Sequence, residues 1–406
     1  MKILVLTDSF LPHAGGSREY YYNLYRHFPE FGDTRVTIAT KKVPGWRAFD
    51  QRVSSDSLRI VRWLKPLDTW QLRELPKGLG PFLHAGWHIV KEKPSVLHVG
   101  DLFPQGVTGL LLKQMTGIPY IAYSHGEDVA LTDRYKYQPL MRNMVYLGAD
   151  AIVANAEFAR RNLVRIGIPE DRIFKINPGV DLDRFSPRPA RIDLLKKWNL
   201  EGKKVVLTVA RLISRKGHDL VLRGIARLIR EVPETVYLIV GQGPEEQKLR
   251  NLAAELGITD SVRFAGRVPE ELLPDCYSLC DVFAMVNREE ANGDLEGFGM
   301  VFLEASAMGK PVIGGRSGGT ADAIAEGKTG FRVNVGQLDE LTATLRMLLT
   351  DANLRCQLGN AGRERVEREF QWRDRARKLH EISVEICKAR SPGKQSWKTP
   401  SKSHAS

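Results

Sequence analysis

Glu296 and Glu304 stand eight residues apart, with Gly297, Phe298, Gly299 and the apolar run Met300 to Leu303 between them. An α-helix turns about 100° per residue, so eight positions bring a side chain back to within roughly 80° of its start. The glycine pair sets the helix start after Gly299. Glu296 is then a loop residue at the mouth of a helix, and Glu304 lies inside its first turns. The unsatisfied N–H groups of such a start (Gly297, Phe298, Gly299, Met300, Val301) attract an anion, and glycine lets the backbone come close to one. For Glu304 alone, two exposed acids flanking a buried helix would give the same pattern. Arg211 and Lys216, five residues apart, form a second chemical pair. A planar guanidinium fork and a mobile ammonium suit a diphosphate, with Arg215 as a further cation; surface salt bridging is the alternative.

The elements that carry these residues follow one pattern. Apolar runs 2–7, 35–40, 95–99, 119–123, 151–154 and 173–176 each lead through a polar or glycine-rich loop toward a helix or the next turn. A second set begins at 204–210 and continues at 236–240, 262–265, 281–285 and 312–315. Repeated strand–loop–helix units predict parallel sheets covered on both faces, with ligands at the carboxyl ends of the strands. Arg211 and Lys216 fall on such a loop, as do Glu296 and the turn Arg316-Ser317-Gly318-Gly319-Thr320. His125 falls on another, in Ser124-His125-Gly126-Glu127-Asp128. The loop Asp8 to Ser17 carries Asp8, His13, Gly15 and Gly16. It is not GxGxxG, and no GxxxxGK[ST] occurs, so neither a dinucleotide fingerprint nor a P-loop is present. The expected organisation is an N-terminal domain over 1–182, a linker at about 183–202 within a C-terminal domain over 183–370, a last helix over 371–390 returning to the first domain, and a disordered tail over 391–406.

The chain has 406 residues and a formal net charge of +12, which points to an anionic partner such as a phosphorylated substrate or an anionic membrane surface. A nucleic-acid binder would want aromatic–basic recognition modules, and none is found. Four cysteines imply no disulfide framework; Cys276 and Cys280 read as core residues, and His84 with His88 lacks a third metal ligand. No apolar run is long enough to span a membrane, and no signal peptide is expected. Residues 41–93 mix Lys and Arg with Trp46, Trp63, Trp70, Phe82 and Trp87. Either this is an interfacial membrane contact, or the aromatics are core and the charges a solvated face.

The two glutamates at this spacing, the Gly297-Phe298-Gly299 between them and the later Ser317-Gly318-Gly319 resemble the donor-binding segment of retaining glycosyltransferases of the family-4 type. The resemblance extends to about residue 390. It implies the GT-B fold, two Rossmann-like α/β domains facing a cleft. It implies metal-independent transfer of a hexose from a nucleotide diphosphate sugar to a glycan or lipid-linked acceptor, in the cytoplasm or at the inner face of the cytoplasmic membrane. Arg211 and Lys216 would hold the diphosphate, Glu304 the ribose, and Glu296 the sugar or its developing positive charge. His125 would lie close to the transferred sugar, with Asp128 orienting it or meeting the acceptor. Gly15 and Gly16 would approach the diphosphate, with Asp8 and His13 on the acceptor side. The loop of Gly241 and Gly243 would flank the nucleotide, and the backbone at Arg267 and Val268 its base. The segment from Gly293 to Gly299 with Arg316 to Gly319 looks most like GDP-mannose-dependent phosphatidylinositol monomannoside mannosyltransferases. Many members carry Glu where this chain has Asp322, so a UDP-sugar donor (glucose or N-acetylglucosamine) stays open. A non-catalytic sugar-nucleotide binding protein would also keep the fold, but the intact His125, Arg211, Lys216, Glu296 and Glu304 speak against it.

Overall fold

The computed structural model describes residues 1–12, 15–63, 75–130 and 138–389. His13, Lys65, Trp70, Arg73 and the tail over 391–406 lie outside the described residues. The chain forms two compact units. One comprises Met1–Ile176 and the stretch from Trp372 onward, the other Asn177–Gln371.

The first unit is built on seven parallel strands: β1 (Lys2–Leu6), β2 (Arg35–Lys41), β3 (Leu58–Trp63), β4 (Val96–Val99), β5 (Tyr120–Ser124), β6 (Ala151–Ala154) and β7 (Ile173–Lys175), in the order β3-β2-β1-β4-β5-β6-β7. Leu4 faces Thr37 of β2 on one side and Leu97 of β4 on the other. The strands are buried almost throughout, as expected when helices cover both faces of a parallel sheet. One cluster of the core gathers Leu4, Leu6, Leu97, Val99, Tyr120 and Ile152. The strand order reverses between β1 and β4, opening a crevice at their carboxyl ends.

The second unit repeats the plan with six parallel strands: β8 (Lys204–Val209), β9 (Thr235–Val240), β10 (Val262–Gly266), β11 (Val282–Met285), β12 (Val312–Gly315) and β13 (Gly330–Val333), ordered β10-β9-β8-β11-β12-β13. Val206, Tyr237, Ile239, Ala284 and Ile313 share its core. Here the order reverses between β8 and β11.

Two expectations change. The stretch 183–202 is not a spacer: it holds the helix Ile192–Lys197 and buries Phe185, Leu194, Trp198 and Leu200. Arg263 Nε donates to the Trp198 carbonyl at 2.8 Å, fastening it to β10. The first unit also ends at Ile176 rather than 182, because Val180 already donates its N–H to Phe370 of the second unit at 2.8 Å. In the basic, tryptophan-bearing segment, the aromatics divide between core and surface. Trp63 is core, and Arg62 is a buried ion-pair partner of Asp50 at 2.7 Å. Trp87, by contrast, is 54% exposed.

A hydrogen-bonded chain runs through the first unit. Ser383, on the helix Trp372–Ala389, donates its hydroxyl proton to the Leu379 carbonyl at 2.7 Å, so its oxygen accepts from His98 Nε2 at 3.1 Å. His98 Nδ1 then accepts from Tyr25 at 2.7 Å. Burial, with a smaller contribution from His380, pushes the His98 pKa from 6.5 down to about 3. The unfolded chain takes up this proton near pH 6.5, whereas the folded chain refuses it until about pH 3. His98 therefore supports the fold fully above pH 6.5. Below that it costs about 1.4 kcal/mol per pH unit, until the folded form is protonated too. Denaturant unfolding of wild type and His98→Gln from pH 7.5 to 4.5 should show a shallower acid slope in the variant by about that amount per unit. Equal slopes would show that His98 is not the group being forced to charge.

Candidate active site

The loops leaving β8 and β11, neighbours across the reversal in strand order, bring the charged residues of the second unit together. After β8 the chain passes Arg211, makes the 3-10 turn Ser214–Lys216, and enters the helix His218–Leu228. Gly217 links the two with φ 71°. A Cβ there would stand 1.8 Å from the Val286 carbonyl oxygen, so only glycine lets this turn lie against the end of β11. Lys216 Nζ pairs directly with the Glu296 carboxylate. Arg215 is buried beside them. Its Nη1 donates to the Leu295 carbonyl at 2.7 Å and stands 3.4 Å from Glu296 Oε2, and its Nε lies 3.3 Å from Asp294. Burial pushes the Glu296 carboxyl toward its neutral form, but Lys216, then Arg215 and Arg211, outweigh it and hold the pKa below the usual value. Arg211 is exposed, and among the described residues its side chain makes no hydrogen bond or close ion pair.

The second glycine-rich turn props up the glutamate loop. Gly319 donates its N–H to the Glu296 carbonyl at 3.0 Å. A Cβ on Gly318 would come within 2.0 Å of the same oxygen. Asn287, fully buried just past β11, accepts from Gly315 N–H at 3.2 Å and donates to the Ser317 carbonyl at 3.3 Å, tying the turn to the strand end. The helix Met300–Ala307 starts after Gly299, as the glycine spacing predicts. Glu304 lies within it and accepts from the Tyr277 hydroxyl at 2.6 Å. Met300 and Val301 are half-buried. The Phe298 ring is buried against Phe370, so its side chain belongs to the core and only its main chain is left for a ligand. Gly241, after β9, donates to the Gly266 carbonyl at 2.9 Å, and Leu212 donates to Gln242 at 3.1 Å. The loop of Gly241 and Gly243 is thus tied to the loop of Arg211 on one side and to the end of β10 on the other. Arg267 beyond it is exposed and Val268 half-buried. Cys276 and Cys280 are free and buried, and burial pushes both thiols up to about 12, which leaves them inert core residues.

In the first unit the polar groups gather at the ends of β1, β4 and β5. Asp101, after β4, knits the loop after β1. Its carboxylate accepts from Thr7 Oγ1 at 2.8 Å, Asp8 N–H at 2.6 Å and Ser9 Oγ at 3.0 Å. Asp8 in turn accepts from Gln105 at 3.1 Å. Gly15 precedes the helix Gly16–Tyr25, and a Cβ on Gly16 would meet nothing within 4 Å, so packing does not demand glycine there. His125 is half-buried with its Nε2 2.7 Å from the Tyr21 hydroxyl. Asp128 does not reach the imidazole by a hydrogen bond. It accepts from the main-chain N–H of His125 at 2.8 Å and of Gly126 at 3.0 Å, and from the Tyr146 hydroxyl, which shapes the turn. Burial lowers the His125 pKa, and Asp128 and Asp101 only partly offset it, so the imidazole is neutral near pH 7.

Sequence reasoning missed Tyr21, Asp101, Asn287 and Tyr277. Asp101 and Asn287 were within its reach, since each is a polar residue directly after an apolar run, where β1 delivers Asp8. Tyr21 and Tyr277 gave no such signal, because both look like ordinary apolar-face residues of a helix.

Comparison with known proteins fits this picture. Residues 14–184 match the family model described as Glycosyltransferase Family 4, and residues 191–365 match that of Glycosyl transferases group 1. A GDP-mannose-dependent alpha-(1-6)-phosphatidylinositol monomannoside mannosyltransferase of Mycolicibacterium smegmatis is 32% identical over 386 residues, covering 94% of this chain and 97% of the relative. A D-inositol 3-phosphate glycosyltransferase of Catenulispora acidiphila is 32% identical over 345 residues, covering 79% of this chain and 78% of the relative. Among solved structures, Anabaena HepE in complex with UDP superposes with a TM-score of 0.79 at 19% identity, over 95% of this chain and all of the other. This last likeness shows the fold alone. The chain belongs to the family-4 type glycosyltransferases of the GT-B fold, hexosyltransferases that take their sugar from a nucleotide sugar.

Proposed function

We propose that this enzyme transfers mannose from GDP-mannose, with retention and without a metal ion, to a lipid-linked acceptor at a membrane surface. The observation that carries the reading is the cluster of Lys216, Arg215 and Glu296 at the switch point of the second sheet, with the exposed Arg211 near enough to act on Glu296. Cleavage of the glycosyl–phosphate bond leaves extra negative charge on the diphosphate. Arg211 would meet that charge with an exposed guanidinium fork. Lys216 has three N–H donors, so it can keep Glu296 and still hold a phosphate oxygen. Glu296, held ionised, then accepts from sugar hydroxyls or stabilises positive charge at the anomeric carbon. Glu304, oriented by Tyr277, accepts from the ribose hydroxyls.

The GDP-mannose reading is supported by the 32% identical relative, which is named for GDP-mannose. GDP-mannose carries its sugar in the α configuration, and the relative's product bond is named alpha. The same reaction in this chain therefore retains configuration. Metal independence is part of this reading because Arg211 and Lys216 can supply the positive charge that a diphosphate leaving group needs.

The membrane surface has its own support. No helix among the described residues is long and apolar enough to cross a membrane. Three neighbouring helices of the first unit nevertheless turn apolar side chains to solvent: Leu83, Trp87 and Val90 on Leu75–Glu92, Met115 on Val107–Thr116, and Met144 and Leu147 on Gln138–Gly148. Lys91 lies over the Trp87 ring at 4.6 Å, and the whole chain carries +12. An apolar face edged with cations fits the interface of an anionic bilayer.

Two measurements test this reading. With EDTA present, GDP-mannose should support transfer to a lipid extract, and NMR of the product should show an α linkage. Lys216→Ala should stay folded and lose about 10²–10³ in kcat. Turnover with UDP-glucose or UDP-N-acetylglucosamine instead would reassign the donor, and a need for a divalent ion would remove the metal-free mechanism. Separately, vesicles containing anionic lipid should float the wild type. The Trp87→Ser/Met144→Ser variant should bind at least about tenfold more weakly, each buried side chain contributing roughly 1.5–3 kcal/mol. Equal flotation would move the contact elsewhere.

A further inference from the structure

Tyr21 lies fully buried in the helix Gly16–Tyr25, and its hydroxyl touches two strand ends at once. It is 2.6 Å from the carbonyl oxygen of Gly100, just past β4, and 2.7 Å from Nε2 of His125, just past β5. A phenol has one proton to give. A carbonyl can only accept, and at 2.6 Å without a proton two oxygen lone pairs would face each other. The proton therefore lies toward Gly100. The phenol oxygen must then accept from the imidazole, so His125 carries a proton on Nε2. The opposite tautomer would leave a lone pair on Nε2 and pull the phenol proton away from Gly100.

The surroundings hold the ring in place. Tyr20 and Tyr21 pack edge-on against the imidazole, with centroids 5.5 and 5.4 Å away and planes at 90° and 86°. The His125 main chain is pinned by Asp128 at 2.8 Å. A 180° flip about Cβ–Cγ would put the carbon Cε1 where Nε2 stands and so break the bond to Tyr21. Among the described residues Nδ1 has no hydrogen-bond partner. With the imidazole neutral, Nδ1 presents a bare lone pair.

We infer that Tyr21 is a positioning residue that locks His125 as the Nε2–H tautomer and leaves Nδ1 open to accept a hydrogen bond from a hydroxyl of the transferred sugar. The tautomer follows from the hydrogen bonds of the first unit alone. The sugar hydroxyl as its ligand rests on the mannosyl-transfer reading above.

The test uses the full chain labelled with ¹⁵N-histidine, with the His125 signals assigned by their loss in His125→Gln. At pH 7 the long-range proton–nitrogen pattern of His125 should show a protonated Nε2 and a bare Nδ1. A protonated Nδ1 overturns the proposal, whether or not any donor is turned over. Tyr21→Phe keeps the ring packing and removes only the hydroxyl. In it the Nε2 proton should lose its hydrogen-bonded shift. Its kcat should fall about tenfold, on the order of one hydrogen bond, with the donor KM within about twofold. Because Tyr21 acts through His125, the double variant Tyr21→Phe/His125→Gln should be no slower than His125→Gln alone. Additive losses would overturn the positioning role. If no nucleotide sugar supports turnover, the mannosyl-transfer reading fails, while the nitrogen pattern still decides the tautomer.

Discussion

A carboxylate taken out of water has to be met by positive charge, and Glu296 sets that requirement for the second unit. Lys216 and Arg215 meet it from the loop after β8, while Glu296 arrives from the far side of β11. The two loops can meet only because β8 and β11 are adjacent, which follows from the strand order β10-β9-β8-β11-β12-β13. They can meet closely only because Gly217 and Gly318 let main chain lie where a Cβ would collide with a carbonyl. Asn287 then replaces the missing sheet hydrogen bonds at the strand end. Sheet topology, glycine placement and buried amide thus converge on one ion cluster. A broken pair there would strand a charge, which costs far more than the pair itself contributes.

The first unit answers a different problem with different groups. Its strand ends combine the carboxylates of Asp8, Asp101 and Asp128 with neutral donors and acceptors. Tyr21, Tyr25, Tyr123, His98 and His125 share protons in short chains, and burial keeps both histidines neutral. One half of the enzyme is arranged around fixed charge, the other around the direction in which hydroxyl protons point.

Much of this was legible in the sequence. Parallel sheets, strand-end loops and the helix start after Gly299 follow from apolar runs punctuated by glycine, and Arg211, Lys216, Glu296 and His125 stand where such runs end. What stayed hidden depends on contacts distant in sequence. Nothing local to Tyr277 announces that it donates to Glu304, and nothing local to Tyr21 announces Gly100 and His125. Phe298 sits in a loop of polar and glycine residues, yet packs into the core against Phe370. The stretch 183–202 looks like a polar linker because its buried residues, Phe185, Leu194, Trp198 and Leu200, are spaced too irregularly to read as one apolar face. The tryptophans of residues 41–93 could not be sorted by type alone, since Trp63 is core and Trp87 is solvent-facing within one stretch of similar composition.

The helix Trp372–Ala389 belongs to the first unit although the whole second unit precedes it in the chain. It supplies Ser383 to His98 and His380 to Thr34. During synthesis, β1 to β7 leave the ribosome long before this helix does. Until it arrives, His98 lacks its acceptor and one face of the early sheet stays uncovered. The nascent first half lacks these contacts while the second half is translated. The order of completion need not follow the order of the units in the sequence: the later-made unit can finish first, and the earlier one is closed by a helix that emerges after it.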